Sequence, residues 1–112
     1  MELHPFLQNR MEQLVLLCKK HKVSKLYAFG SIVTGRFDLN KSDIDLQVEL
    51  MQINDPIEKG LTLLELWDAL ETLFERKVDL VSDQPIQNHY FKSSLDQIKV
   101  LIYDRALQEI FS

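Results

Sequence analysis

The chain has 112 residues, 46% of them hydrophobic and 27% charged, with a formal net charge of −4. That length suits one hydrophobic core and is too short for two, so a single domain over residues 1–112 is expected. The composition is that of a soluble globular chain. No apolar run approaches the roughly 20 residues that span a bilayer, and the acidic balance argues against a broad, sequence-independent grip on DNA or RNA.

The first ten residues, MELHPFLQNR, lack the basic and then apolar pattern of a secretory signal. A single cysteine, Cys18, allows neither an internal disulfide nor a cysteine zinc cluster. Together these lead us to expect a cytoplasmic protein.

Pro5 suits the first turn of a helix, where its missing donor costs nothing. Phe6, Leu7, Met11, Leu14, Leu17 and Cys18 then recur at helical spacing, which predicts one helix from Pro5 to His21 with Cys18 as a small core residue. Lys19, Lys20, His21, Lys22 and Lys25 cluster at and beyond its end, where cations complement the helix dipole. SKLYAF, residues 24–29, reads as a buried strand that Gly30 ends. Ser31 to Gly35 reads as a short helix or turn, and FDLNKS as a polar loop.

DIDLQVEL, residues 43–50, alternates cleanly. Ile44, Leu46, Val48 and Leu50 share one face; Asp43, Asp45, Gln47 and Glu49 share the other. Asp55, Pro56 and Glu58 open the next helix with a capping signature, and Leu63, Trp67, Leu70 and Phe74 form its apolar stripe. KVDLV, residues 77–81, is a third strand, with Asp79 on the face away from Val78 and Leu80. A helix around residues 88–96, a fourth strand KVLIY at residues 99–103 and a tail helix from Asp104 to Phe111 complete the order. No histidine looks catalytic; His4 and His21 sit beside helix ends, and His89 reads as a helix-surface residue or a neighbour of a nucleotide pocket. The expected fold is α/β of the α+β type: a small mixed sheet of about four strands with packed helices.

Acidic residues are depleted in strands, and two on one strand face repel. Asp43 and Asp45 lie about 7 Å apart along the strand with side chains on the same face. A divalent cation relieves their repulsion, and oxygen ligands suit a hard ion, Mg²⁺ or Mn²⁺. If KVDLV pairs beside DIDLQV, Asp79 reaches the same place. Gly30 and Ser31 supply a glycine where a phosphate can approach the backbone and a helix start that favours an anion. Metal and anion together describe a nucleoside triphosphate bound for phosphoryl transfer. Arg36, in the connecting loop, can touch the phosphates or the base, or simply be solvated.

Strand, Gly-Ser, eleven residues, D-x-D on an alternating strand, helix and V-D-L-V form a combination more specific than any of its parts. In YAFGSIVTGRF, SDIDLQV and ERKVDLV the chain resembles the DNA polymerase beta-like nucleotidyltransferases, and within them the minimal nucleotidyltransferases. The resemblance implies the nucleotidyltransferase fold. It implies Gly30 and Ser31 as the phosphate turn, Asp43 and Asp45 as the metal pair, and Asp79 as the third carboxylate, which ligates the catalytic metal and helps deprotonate the attacking hydroxyl. Relatives are often richer in arginine where this chain has Thr34, Gly35 and Arg36.

Minimal members resemble antitoxins encoded beside helical HEPN ribonuclease toxins. The resemblance therefore implies a hetero-oligomer in which AMP passes from ATP to a toxin hydroxyl, a tyrosine, with no direct nucleic-acid or membrane partner. Two other readings stand beside it. One is a catalytically silent module that masks a toxin by contact. The other is a transferase acting on a small hydroxylated compound such as an antibiotic.

Overall fold

The helix predicted from Pro5 to His21 is two helices, α1 (Pro5–Gln8) and α2 (Met11–Lys20). This computed structural model describes residues 4–34, 37–40, 43–82 and 99–107. The break falls at Asn9 and Arg10. The Asn9 N–H donates to the Pro5 carbonyl and the Arg10 N–H to that of Leu7, and Arg10 leaves the helical region with φ −113° and ψ 7°. The apolar spacing runs unbroken across this corner, so periodicity alone cannot reveal it. The corner has a physical use. The Phe6 ring lies 6.0 Å from Phe74 and 5.5 Å from Phe37, and the Arg10 guanidinium stacks 3.8 Å above it while donating to the Phe6 carbonyl. His4 caps α1 by accepting from the Phe6 N–H and meets Phe37 edge-on.

The remaining elements are β1 (Val23–Phe29), α3 (Ser31–Thr34), β2 (Ile44–Leu50), α4 (Pro56–Phe74), β3 (Val78–Ser82) and β4 (Val100–Asp104). The sheet order is β3-β2-β1-β4. Strand β1 is antiparallel to β2 and β4, whereas β2 and β3 run parallel. A parallel pair needs a crossover, and α4 supplies it. The sheet is thus mixed and four-stranded, with helices packed on it. No helix among the described residues is long and apolar enough to cross a membrane.

The alternation read in the sequence decides which strand face is buried. Leu26 and Ala28 of β1, Ile44, Leu46 and Val48 of β2, and Val78 and Leu80 of β3 join one core with Leu14 and Cys18 of α2 and Leu66, Leu70 and Phe74 of α4. Burial pushes the Cys18 thiol up to about 12, against a smaller opposing pull from Arg105, so it packs as a small apolar group. Trp67 also lies against the core, and its indole N–H donates to the Val78 carbonyl at 2.7 Å.

Helix α4 opens as expected on Asp55, which accepts from the Ile57 N–H at 3.0 Å, with Pro56 in its first turn. Glu58 does not close a capping box. It pairs with Lys22 at 3.0 Å, because the left-handed backbone of Lys22 (φ 59°) leads the chain past the start of α4.

Residues 105–107 begin a helix, with Ala106 and Leu107 exposed. The rest of the predicted tail, including Ile110 and Phe111, lies outside the described residues, as do the predicted helix at residues 88–96, His89 and Arg36. Arg105 explains why the chain turns at this point. Its guanidinium donates to the carbonyls of Val23 (2.8 Å), Cys18 (3.2 Å) and Lys19 (3.1 Å). It thereby satisfies last-turn carbonyls of α2 that have no intrahelical partner. Arg105→Ala is expected to lower unfolding stability by about 1–3 kcal/mol. Arg105→Lys should recover only part of this, since an ammonium lacks the planar fork. Urea denaturation checks it; an unchanged midpoint for Arg105→Ala would show that the three bonds contribute nothing.

Candidate functional site

The site begins where β1 ends. Phe29 is the register partner of Asp45 across the β1–β2 ladder, so the next residue, Gly30, leaves the sheet beside the Asp45 carboxylate. Gly30 has φ 73°, a left-handed conformation that glycine adopts without strain. A second constraint reinforces the first. A Cβ on Gly30 would overlap Asp45 Oδ2 and come within 3.2 Å of its Cγ. Ser31 then opens α3, whose first turn closes with the Val33 N–H on the Gly30 carbonyl. Ile32 and Val33 anchor this short helix in the core.

Asp79 reaches the same place from the other side. In the parallel β2–β3 ladder Asp45 and Asp79 are direct partners, and neighbouring strands lie about 4.8 Å apart. Asp43 immediately precedes β2 and shares the face of Asp45 by the two-residue period. The structure therefore brings Gly30, Ser31, Asp43, Asp45 and Asp79 to one end of the sheet, on the face opposite α4.

The electrostatics follow from this crowding. The Asp45 carboxyl is pushed up to about 6, first by burial and then by the charges of Asp79 and Asp43. Among the described residues none of the three carboxylates forms an ion pair, and no three acidic, histidine or cysteine groups are already drawn into a metal cage. The arrangement is a row of acids fixed by strand register. Its donors are all oxygens, which fits a hard divalent cation, and the burden that a cation would lift is visible in the proton affinity of Asp45.

Two features escaped the sequence reading. Gln47 was placed on the polar face with Asp45. It is there, opposite Tyr27, but only 8% exposed, and its side-chain carbonyl has no hydrogen-bond partner. The second is a support. The Arg76 guanidinium lies 4.5 Å from the Phe6 ring and 4.9 Å from Phe37, and donates to the Leu39 carbonyl at 2.8 Å. One residue later, the Lys77 carbonyl accepts from the Ile44 N–H at 3.1 Å. The segment carrying Asp79 thus holds the segment leading to Asp43 and Asp45. Nothing in the sequence pattern pointed to it, because the partners that the Arg76 guanidinium meets, Phe6, Phe37 and Leu39, are distant in sequence.

A raised carboxyl pKa has a definite consequence for stability. Between the ordinary aspartate value of 3.8 and about 6, the folded chain holds a proton on Asp45 that the unfolded chain has released. Stability is therefore lost as pH rises through this window and stays reduced above it. Asparagine carries no charge, so Asp45→Asn is expected to raise the denaturation midpoint near pH 7.5 without metal. The gain should shrink towards zero near pH 4. Urea melts in chelator at the two pH values check this; an equal gain at both, or a loss near pH 7.5, would contradict it.

Comparison with known proteins gives a consistent picture. The family described as "Polymerase beta, Nucleotidyltransferase" matches residues 12–108. Two proteins of Methanocaldococcus jannaschii named as candidate protein adenylyltransferases are 37% and 38% identical to this chain over 82 residues, which is 73% of this chain and 79% of each relative. A solved structure described as a candidate minimal nucleotidyltransferase superposes with a TM-score of 0.68 at 26% identity, covering 84% of this chain and 90% of that one. A chain from a toxin–antitoxin complex with AMP-PNP gives 0.64 at 23% identity, covering 84% and 73%. A chain from the Shewanella oneidensis complex of a tri-AMPylated HEPN toxin with its MNT antitoxin gives 0.54 at 20%, covering 93% and 78%. At these last two identities the likeness is one of fold.

Proposed function

This chain belongs to the polymerase beta nucleotidyltransferase family, and we propose that it transfers AMP from ATP to a hydroxyl, a tyrosine on a helical HEPN-type toxin, and so acts as an antitoxin. The observation that carries the reading is the in-register pairing of Asp45 with Asp79 beside Gly30. It supports the reading by gathering acids at one end of the sheet beside the Gly30 turn. The curated relatives support protein adenylylation as the activity class. The tri-AMPylated toxin complex supplies the partner class by analogy.

In this reading Asp43 and Asp45 hold Mg²⁺ or Mn²⁺, with Asp79 as a further ligand. The ion supplies charge neutralisation on the reacting phosphates. Gly30 presents its backbone to the phosphates without a side chain in the way, and Ser31 adds the next N–H. Arg36 carries a phosphate- or base-contacting role on its sequence position alone. Asp79 accepts the proton of the attacking hydroxyl. Its oxygen forms a bond to the α-phosphorus of ATP while the bond from that phosphorus to the bridging oxygen breaks, and pyrophosphate leaves. Sheet register fixes the proton acceptor relative to Asp45, so orientation is supplied before substrate arrives.

The test is transfer of α-labelled AMP to the protein encoded beside this chain's gene, in Mg²⁺. Asp79→Ala is expected to lower turnover about 10²- to 10⁴-fold while changing ATP affinity little, because help to the attacking hydroxyl is felt mainly in the transition state. Wild-type turnover in that variant would overturn the assignment. A large loss of affinity at unchanged turnover would make Asp79 a binding group instead.

A further inference from the structure

Gln47 is the buried polar group that the chemistry above leaves unused. It stands two residues beyond Asp45 on β2 and so on the same face of the sheet, about 7 Å further along the strand. It is only 8% exposed, and its side-chain carbonyl oxygen meets neither solvent nor a hydrogen-bond donor. Such an acceptor weakens a fold, because it has lost its water and found no replacement. Its register partner on β1 is Tyr27, half-buried, with the Lys99 ammonium 4.3 Å from the centre of its ring. Beyond the row of acids the same face therefore carries an amide beside an aromatic ring.

The directions around Asp45 bear on what the amide meets. On the reading proposed above, on which this inference rests, pyrophosphate leaves on the Gly30 side and the hydroxyl attacks from the Asp79 side. Gly30 follows the β1 partner of Asp45, and Asp79 is its β3 partner, so the two lie on opposite sides of it. Attacking and leaving oxygens stand roughly in line in phosphoryl transfer. The oxygen that joins the α-phosphorus to the nucleoside then points across that line, along β2 or away from the sheet. Towards the start of β2 the nucleoside would meet Asp43, an acid. In the other direction it meets Gln47.

We propose that the nucleoside of ATP extends along β2 from Asp45, and that the Gln47 amide hydrogen-bonds the edge of its base beside Tyr27. The edge of a base carries donors and acceptors, and an amide presents one of each. The amide breaks no hydrogen bond of its carbonyl when it turns out to the ligand, so that turn costs little of the affinity gained. A paired glutamine would have to give up its partner first. The Tyr27 ring adds apolar area of the kind that lines small-molecule sites, where a few polar groups fix orientation.

Calorimetric titration of the full chain in Mn²⁺ with ATP, dATP and inorganic tripolyphosphate tests this, paired with thermal melts. Gln47→Met keeps the length of the side chain and removes the amide. It should weaken ATP and dATP alike, by about 3- to 10-fold. Tripolyphosphate, which has no nucleoside, should bind as it does to the wild type. The melting temperature without ligand should match or exceed that of the wild type, because an unpaired buried acceptor is gone. Unchanged ATP affinity overturns the proposal. An equal loss for ATP and tripolyphosphate also overturns it, and moves Gln47 to the phosphates. A loss for ATP with dATP unchanged assigns the amide to the ribose instead. A lowered melting temperature with all three ligands weakened makes Gln47 a support of the fold and no more. A wild type that binds none of the three overturns the transferase reading itself, and this proposal with it.

Discussion

Three carboxylates held in a row by strand register are the constraint around which the rest of the structure is arranged. Asp45 and Asp79 are direct partners in a parallel ladder. A shift of one strand by one residue would relieve their repulsion, but it would also turn that strand's apolar residues, Leu46 and Val48 or Val78 and Leu80, out of the core. The hydrophobic face therefore enforces an electrostatic cost on the polar face. That cost appears as a carboxyl that keeps its proton up to about pH 6. A bound divalent cation would remove it, which is the physical ground for the metal proposed above.

The supports of this row come from distant parts of the chain. Arg76 grips the Phe37–Leu39 segment through two aromatic rings and a carbonyl, and Lys77 bonds to Ile44. The α1–α2 corner exists to bring Phe6 into that stack. At the other end of the sheet, Arg105 ties β4 to the end of α2 and the start of β1. Each device spans sequence-distant elements with directional hydrogen bonds, those of Arg76 and Arg105 being charge-assisted.

Much of this was legible in the sequence because two-residue alternation carries face and register information. The strands at Val23–Phe29, Ile44–Leu50 and Val78–Ser82 were each read to within a residue or two. The position of Asp79 beside Asp45 followed once KVDLV was set beside DIDLQV; that the pair runs parallel is shown by the structure. The break at Asn9 and Arg10 was not legible, because a helical period continues across it. Glu58 was misread as a capping-box acid, because its true partner, Lys22, lies 36 residues away. Gly30 was read as room for a phosphate. The structure adds that the adjacent Asp45 side chain already occupies the space a Cβ would need.

The central claim is that the carboxylate row is built to take up a divalent cation. Thermal melting of the protein near pH 7.5 against increasing Mn²⁺, for wild type and for Asp45→Asn, tests it most directly. The account predicts a wild-type midpoint that climbs with metal, each tenfold excess over Kd adding about 1.4 kcal/mol. Asp45→Asn should begin higher and stay flat. A wild type indifferent to Mn²⁺, or a variant that climbs equally, would contradict it.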